Sequence, residues 1–287
     1  MSGLQFKIDQ DFEYGVEITL DSRLNAGSLI LLEPARDGLS GIPTQLVNYA
    51  ADTAETITGS EIDTVDIQNN IGLIAGAFVE RTAKGGIHGV FPQTVASMPS
   101  RANFSALLPD ALKNYLSANK SHQFYIAVSG VVTRNIGDGS ASMALAGLNT
   151  VDDVSGTLTQ LTPAVFQSQA SKSVAGGRYN VSGTLGRTLT STPQTPWMID
   201  VAQSSLTWTS EPSAGTIRDS LFLMGASSST LANQQGRPCW VLYSMYVEDL
   251  TISGQTYAQA HAKSQAVYDS RFGTGGIYAG DTWTIPV

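Results

Sequence analysis

The stretch that decides the fold is residues 238–272, PCWVLYSMYVEDLTISGQTYAQAHAKSQAVYDSRF. Its first half alternates in a way that places apolar side chains on both faces of an extended strand. Such a strand is typical of a sheet that is covered on both sides, so the sequence predicts a central strand. Simple alternation places Trp240, Leu242, Ser244 and Tyr246 on one face and Val241, Tyr243, Met245 and Val247 on the other.

The second half of this stretch predicts a short C-terminal helix. A polar step at Glu248 and Asp249 ends the strand, and Ser253-Gly254 is a turn signal. Thr256 and Gln259 have the spacing of a capping box, in which each side chain binds a free amide of the first helical turn. Helical spacing continues through Tyr257, Ala260, Ser264 and Val267, and Gly273 ends the helix.

Composition indicates a chain rich in β structure. The 287 residues are 42% hydrophobic and only 14% charged. This length allows one large all-β domain or two ordinary ones, and we expect a single large domain over residues 1–287. Short apolar segments alternate with turn residues along the chain, a pattern that favours a sandwich or jelly roll. Residues 1–60 are strand-like, and the pattern leaves open whether they are sandwich strands or an N-terminal arm or interface segment.

Three further segments carry specific predictions. Residues 123–134 predict a second strong strand, with a bulge or bend at Ser129-Gly130. Residues 103–116 repeat Leu and Tyr at helical spacing and predict a short helix. Residues 61–67 and 72–81 predict two strands that are separated by an Asn-Asn turn.

Charge and cysteine content exclude several classes of function. The net charge of −8 and the absence of a Lys/Arg cluster argue against a nucleic-acid partner. The single cysteine, Cys239, excludes an intrachain disulfide and a cysteine-based zinc site, and its neighbours predict a buried core residue. With no signal peptide and no membrane-spanning run, we expect a protein that is made in the cytoplasm and has no membrane partner.

The C-terminal third resembles the concanavalin A-like, or laminin G-like, jelly roll. The resemblance rests on residues 219–225 and 239–250, the Ser253-Gly254 turn and the helical segment 256–268. It implies an all-β jelly-roll sandwich with a short C-terminal helix and one or two small extra helices.

The whole chain also resembles virion structural proteins of tailed bacteriophages. The features are low charge, richness in Ser, Thr and Gly, one cysteine and the closing segment 271–284. This resemblance implies a non-enzymatic head decoration, tail fibre or spike protein that is located in the virion. Its partners would be identical subunits and other capsid or tail proteins. The alternative is a lectin-like module for host surface glycans, and a third reading is a glycan hydrolase.

The hydrolase reading depends on Glu61, Asp63 and Asp66. Retaining glucanases of this fold use Glu-x-Asp-x-x-Glu, whose two working carboxyls lie about 5–5.5 Å apart. Here the last acid is Asp66, whose shorter side chain would miss that spacing. The alternative is a solvent-facing edge strand whose acids discourage aggregation. We therefore expect no catalytic residues.

Other candidate groups have weaker patterns. Asp138 and the pair Asp152-Asp153 are loop acids that could ligate calcium, but ordinary turn acids fit the pattern better, so no metal or other cofactor is predicted. His88, His122 and His261 lack metal spacing and are expected to be surface or cap residues.

Five aromatic residues are predicted to lie outside the core. There they could stack on sugar rings or anchor subunit interfaces, and the low charge of the chain favours interfaces. These candidate ligand-binding residues are Trp197, Trp208, Tyr179, Tyr278 and Trp283.

Overall fold

The protein is an all-β sandwich of two antiparallel sheets with a few short helices. The computed structural model describes residues 21–38, 40–92, 102–137, 143–152, 160–168, 170–177, 184–189, 193–204, 217–225 and 237–286. Within these residues no helix has the length and apolar character needed to cross a membrane.

The first sheet contains the strand of the deciding stretch, and we call it the central sheet. Its strands follow the spatial order β11-β13-β7-β15-β5-β4, and β1 also pairs with β15. The strands are β1 (Ser28–Leu32), β4 (Phe78–Arg81), β5 (Ile87–Val90), β7 (Phe124–Arg134), β11 (Thr184–Gly186), β13 (Pro196–Gln203) and β15 (Cys239–Asp249).

The second sheet packs on the inner face of the central sheet. Its spatial order is β12-β10-β9-β8-β14-β6-β3-β2. The strands are β2 (Gln45–Val47), β3 (Thr64–Asn69), β6 (Asn103–Leu107), β8 (Met143–Asp152), β9 (Gln160–Gln167), β10 (Val174–Gly177), β12 (Thr188–Leu189) and β14 (Ile217–Gly225).

Four helices and two single-turn 3-10 segments complete the described chain. The longest helix, α4, starts with the predicted capping box: the hydroxyl of Thr256 accepts from the Gln259 amide, and the Gln259 side chain accepts from the Thr256 amide. Gly273 ends it, as predicted. The helices are α1 (Ala51–Thr58), α2 (Asp110–Ala118), α3 (Leu250–Ser253) and α4 (Tyr257–Phe272), and the 3-10 segments are Pro34–Asp37 and Ile71–Leu73.

Every residue of β15 is buried, which confirms the prediction of a strand covered on both faces. The predicted division of its faces is wrong, because the register against β7 shifts between Leu242 and Ser244. The extra residue, Tyr243, forms a bulge, and an odd insertion moves all later side chains to the opposite face. Trp240 and Leu242 therefore share the inner core with Met245 and Val247, whereas Tyr246 lies on the outer face.

The outer face of the central sheet is covered by α4 and the C-terminal segment. Tyr246 packs in one outer cluster with Tyr125 and Ala260 of α4. Tyr243 packs in a second outer cluster against Tyr278 and Phe272, with ring centroids 4.6 and 5.0 Å away. This cover explains why the second face of β15 is apolar.

A buried ion network joins residues 21–33 to the end of α4 in this outer layer. The Arg23 guanidinium binds Asp21 and Glu33, both at 2.8 Å, and Arg271 at the end of α4 binds the same two carboxylates. Burial alone would raise the pKa of Asp21, but the hydrogen bonds and charge of Arg23 hold that pKa well below its usual range. The network ties residues 21–33 to α4, although they are far apart in sequence.

Other sequence predictions have mixed outcomes. Cys239 is a buried free thiol, and burial raises its pKa, in agreement with the predicted core role. The predicted helix over residues 103–116 is wrong at its start, because residues 103–107 form β6 between β3 and β14. The Leu and Tyr spacing is helical only from Asp110 onward. Within residues 1–60, β1 and β2 are sandwich strands, and residues 1–20 lie outside the described residues.

The Ser129-Gly130 pair, where a bulge or bend was predicted, lies opposite a bulge whose extra residue belongs to β15. A Cβ atom at Gly130 would lie 2.7 Å from the Val241 carbonyl oxygen and 2.8 Å from the Trp197 ring. The absence of a side chain here thus allows Trp197 to stack on Trp240, with ring centroids 6.4 Å apart.

We expect Gly130→Ala to lower the free energy of unfolding by about 1–3 kcal/mol, because the new methyl overpacks this contact. The matched control is Gly72→Ala, since a Cβ at Gly72 has no atom within 4 Å; its effect should stay within about 0.5 kcal/mol. Urea unfolding of both variants measures the difference, and equal midpoints would contradict the proposed crowding.

Candidate functional site

Of the five aromatic residues expected outside the core, the structure describes three, and two of those lie in the core. Trp197 is 4% exposed and Tyr278 is 3% exposed, so the prediction of an outer position is wrong for both. The physical reason is the covering layer on each face of the central sheet: Trp197 stacks on Trp240 inside, and Tyr278 packs on Tyr243 outside. Trp283 is half-buried. Trp208 and Tyr179 lie outside the described residues.

The carboxylates of the hydrolase reading lie in the open. Glu61, Asp63 and Asp66 are all exposed, and Asp66 accepts a hydrogen bond from Gln45 of the neighbouring strand at 2.8 Å. A general acid of a glycosidase needs an environment that disfavours its charged form, and solvent does not supply one. The edge-strand alternative needs a correction as well: β3 pairs with both β2 and β6, so β2 forms the edge.

The calcium candidates cannot be assembled from the described chain. Asp138 and Asp153 lie outside the described residues, and Asp152 is the last residue of β8. Among the described residues there is no group of three or more His, Cys, Asp or Glu that could hold a metal ion.

His88 is fully buried, so the prediction of a surface or cap residue is wrong for it. Its Nδ1 lies 2.8 Å from Glu80 Oε1, and its Nε2 lies 2.8 Å from Thr133 Oγ1. Carboxylate, imidazole and hydroxyl follow in the order of a hydrolase triad. Thr133 is only 4% exposed, however, so a substrate has no access to the hydroxyl. These hydrogen bonds therefore pair the polar side chains of β4, β5 and β7 with one another.

The other two histidines also contact buried carboxylates. His122 lies 2.6 Å from Asp249, and His261 of α4 lies 2.7 Å from Asp200. Both imidazoles are half-buried, and both carboxylates are fully buried. Asp200 also accepts from the hydroxyls of Tyr125 and Tyr257, so it links β7, β13 and α4. Sequence spacing could not reveal the two histidine–aspartate pairs, because their members are 127 and 61 positions apart.

One end of the sandwich carries exposed apolar side chains on two edge strands. Within the described residues, β2 pairs with β3 and β4 pairs with β5, which leaves the outer side of each strand without a strand partner. Arg81 of β4 donates to the Gly41 carbonyl just before β2 at 3.0 Å, so the two edges are neighbours. We call this end the apolar end; its exposed large side chains are Ile42 (39%), Val47 (37%), Leu73 (57%) and Phe78 (38%).

Charge is also divided between the apolar end and the opposite end of the sandwich, where β11 and β12 lie. Residues 38–80, which include β2, β3 and all of β4 except its last residue, Arg81, contain no Lys, Arg or His. Residues 154–199, which include β9 to β12 and the start of β13, contain no Asp or Glu. The first segment carries Asp52, Glu55, Glu61, Asp63, Asp66 and Glu80, and the second carries Lys172, Arg178 and Arg187. This division is visible in the sequence, but only the sheet order places the two segments at opposite ends.

Comparisons with known proteins do not assign this chain to a family. No family model and no curated protein sequence matches it. A Trypanosoma rangeli sialidase mutant displaying trans-sialidase activity is similar over 78% of this chain and 31% of its own length, with 10% identity and a TM-score of 0.41. A protein of unknown function from Shewanella oneidensis MR-1 is similar over 67% of this chain and 80% of its own length, with 9% identity and a TM-score of 0.38.

The chain spans about a third of the length of the sialidases that it resembles. At these identities and TM-scores, the similarity transfers neither an activity nor a substrate to this protein. The function must therefore be argued from the chain's own surface.

The burial of His88 beside Glu80 predicts that the protein loses stability in mild acid. Burial lowers the pKa of His88 below its ordinary value of 6.5, although the hydrogen bond and charge of Glu80 oppose the shift. At a pH between the lowered pKa of His88 in the folded chain and its ordinary pKa in the unfolded chain, the unfolded chain holds the proton and the folded chain does not. The free energy of unfolding should therefore fall as the pH drops below 6.5.

The His88→Gln variant should show a flatter dependence of unfolding free energy on pH between about 7.5 and 5, because the titrating group is gone. Urea unfolding at a series of pH values measures the slope, which is independent of any constant loss of stability in the variant. A slope equal to that of the natural protein would show that His88 is not the group responsible for the loss of stability in acid.

Proposed function

We propose that this chain is a non-enzymatic structural protein that works by assembling with copies of itself. More specifically, we propose a virion component of a tailed bacteriophage, either a head decoration protein or part of a tail fibre or spike. Other capsid or tail proteins would be its further partners. Support for the virion assignment comes from the sequence resemblance: low charge, richness in Ser, Thr and Gly, and the closing segment 271–284.

The apolar end is the observation that carries the proposal of self-assembly. Monomeric sandwiches protect an edge strand with charge, proline or a covering segment, because an open edge can pair with another chain. Here Val47 and Phe78 are exposed on the two edge strands, and Leu73 lies on the 3-10 segment that leads into β4. Large apolar side chains exposed at edge strands are typical of a protein interaction site.

The absence of an enzymatic activity is part of the proposal. The histidine–carboxylate pairs connect strands and helices, and the triad-like arrangement at His88 is buried. The glycan-binding alternative would need exposed aromatic rings, and Trp197 and Tyr278 do not offer them.

The finer fold assignment is also a proposal. The two stacked antiparallel sheets and the closing order of strand, polar step, turn and helix fit a concanavalin A-like jelly roll. An experimental structure that traces the connections between the sheets would test this assignment.

The decisive experiment for the virion proposal is localisation on particles. Antibodies against the chain should label purified virions in electron micrographs at a regular position on the head or tail. A protein that is produced during infection but absent from purified particles would overturn the virion proposal and leave self-assembly to be judged separately.

Charged substitutions at the apolar end should weaken self-association. Val47→Lys and Phe78→Lys each place an ammonium group in a surface that the interface must desolvate, so each should raise the dissociation constant about tenfold or more. The control is Ile252→Lys, because Ile252 is 45% exposed on α3, away from the edge strands. Sedimentation velocity over a concentration series measures all three, and equal effects would contradict the role of the apolar end.

A further inference from the structure

We infer that the copies associate head to tail, with the acidic apolar end of one copy against the basic end of the next. This inference rests on the proposed function and specifies which surfaces of the two copies meet. The partner it names is a second copy of this chain, in a heterologous rather than a two-fold symmetric contact.

The apolar end also carries acidic side chains that are exposed to solvent, and we therefore call it the acidic apolar end. Asp52 and Glu55 are exposed on α1, and Glu61, Asp63 and Asp66 are exposed on and before β3. The edge strand β4 adds one cation, Arg81, which is half-buried against the Gly41 and Pro34 carbonyls, so the exposed acids of this end outnumber it. Two such ends facing each other would bring like charges together, which costs free energy and disfavours a symmetric contact.

The opposite end has the complementary character. Arg187 lies between β11 and β12, the last strands of the two sheets, and Lys172 lies just before β10. Arg187 is half-buried, and its guanidinium donates to the Gln265 side chain of α4 at 3.2 Å. Leu185 of β11 is 48% exposed, so this end also offers an apolar side chain on an edge strand. We call it the basic end.

The sheet order keeps the two ends apart within one molecule. The central sheet has β4 at one end and β11 at the other, and the second sheet has β2 and β12 in the same sense. With strands spaced about 4.8 Å apart, the ends are separated by roughly 25–35 Å. This distance exceeds the Debye length of about 10 Å at 0.1 M salt, so the charges of one end are screened from those of the other end of the same molecule.

A contact between two different ends repeats without limit or closes on itself. Head-to-tail association therefore produces a ring when the rotation between copies closes and a filament when it does not. The apolar residues at each end supply contact area, and the opposite charges select the partner end and steer the encounter.

The first test is salt dependence and charge reversal. Self-association measured by sedimentation velocity should weaken about tenfold or more between 50 and 500 mM NaCl, because the steering charges become screened. The paired variant Lys172→Glu/Arg187→Glu should lose association, and so should Glu61→Lys/Asp63→Lys. The control Lys120→Glu reverses a single charge in the turn between α2 and β7 and should leave association unchanged.

The second test is restoration by mixing, which separates a lost interface from a misfolded variant. An equimolar mixture of the two paired variants should assemble again, because each acidic end then finds a basic end on the other variant. The chain with all four substitutions should assemble alone. Circular dichroism and thermal unfolding establish that each variant is folded.

The outcomes distinguish this inference from the proposed function. If the natural protein associates but reversal at the basic end has no effect, the head-to-tail contact is overturned and self-assembly survives. Failure of the mixture to assemble, with both variants folded, also overturns it. If the natural protein stays monomeric at every concentration in low salt, the proposal of self-assembly itself is overturned.

Discussion

The structure depends on one constraint: β15 must be covered on both faces. A strand with large apolar side chains on each side cannot leave either face in water, since each buried aromatic or aliphatic side chain is worth about 1.5–3 kcal/mol. The second sheet covers the inner face, and α4 with the C-terminal segment covers the outer face. The bulge at Tyr243 matters here because it decides which side chains belong to which layer.

The outer layer is narrow, and polar contacts fix its position. α4 covers the sheet with Tyr257 and Ala260 and bonds to β13 through Asp200. Its last turn enters the Arg23 network through Arg271. Removing one member of a buried ion network leaves an unpaired charge, which is costly, so these contacts tolerate few alternatives. They therefore specify where the helix lies, while the apolar contacts supply most of the stabilising free energy.

Local pattern predicted the elements better than the surfaces. The strand at residues 239–249, the capping box at Thr256 and the buried Cys239 follow from alternation, spacing and neighbours, which are properties of a few adjacent residues. The bulge was not predictable, because it depends on pairing with a strand more than a hundred residues earlier. The burial of Trp197 and Tyr278 depends on covering layers that lie elsewhere in the chain. Sequence pattern describes a face without saying what covers it.

The same reasoning explains why the candidate site lies at the ends of the sandwich. Among the described residues, the middle strands β7 and β15 have no free face, because the inner side of the central sheet meets the second sheet and its outer side meets α4 and the C-terminal segment. Partners must then use what these layers leave open, and the edge strands β2 and β4 are open within the described chain. A chain with only 14% charged residues has few charges with which to protect such edges. Concentrating acids at one end and cations at the other lets these few charges disfavour contact between like ends while favouring contact between unlike ends.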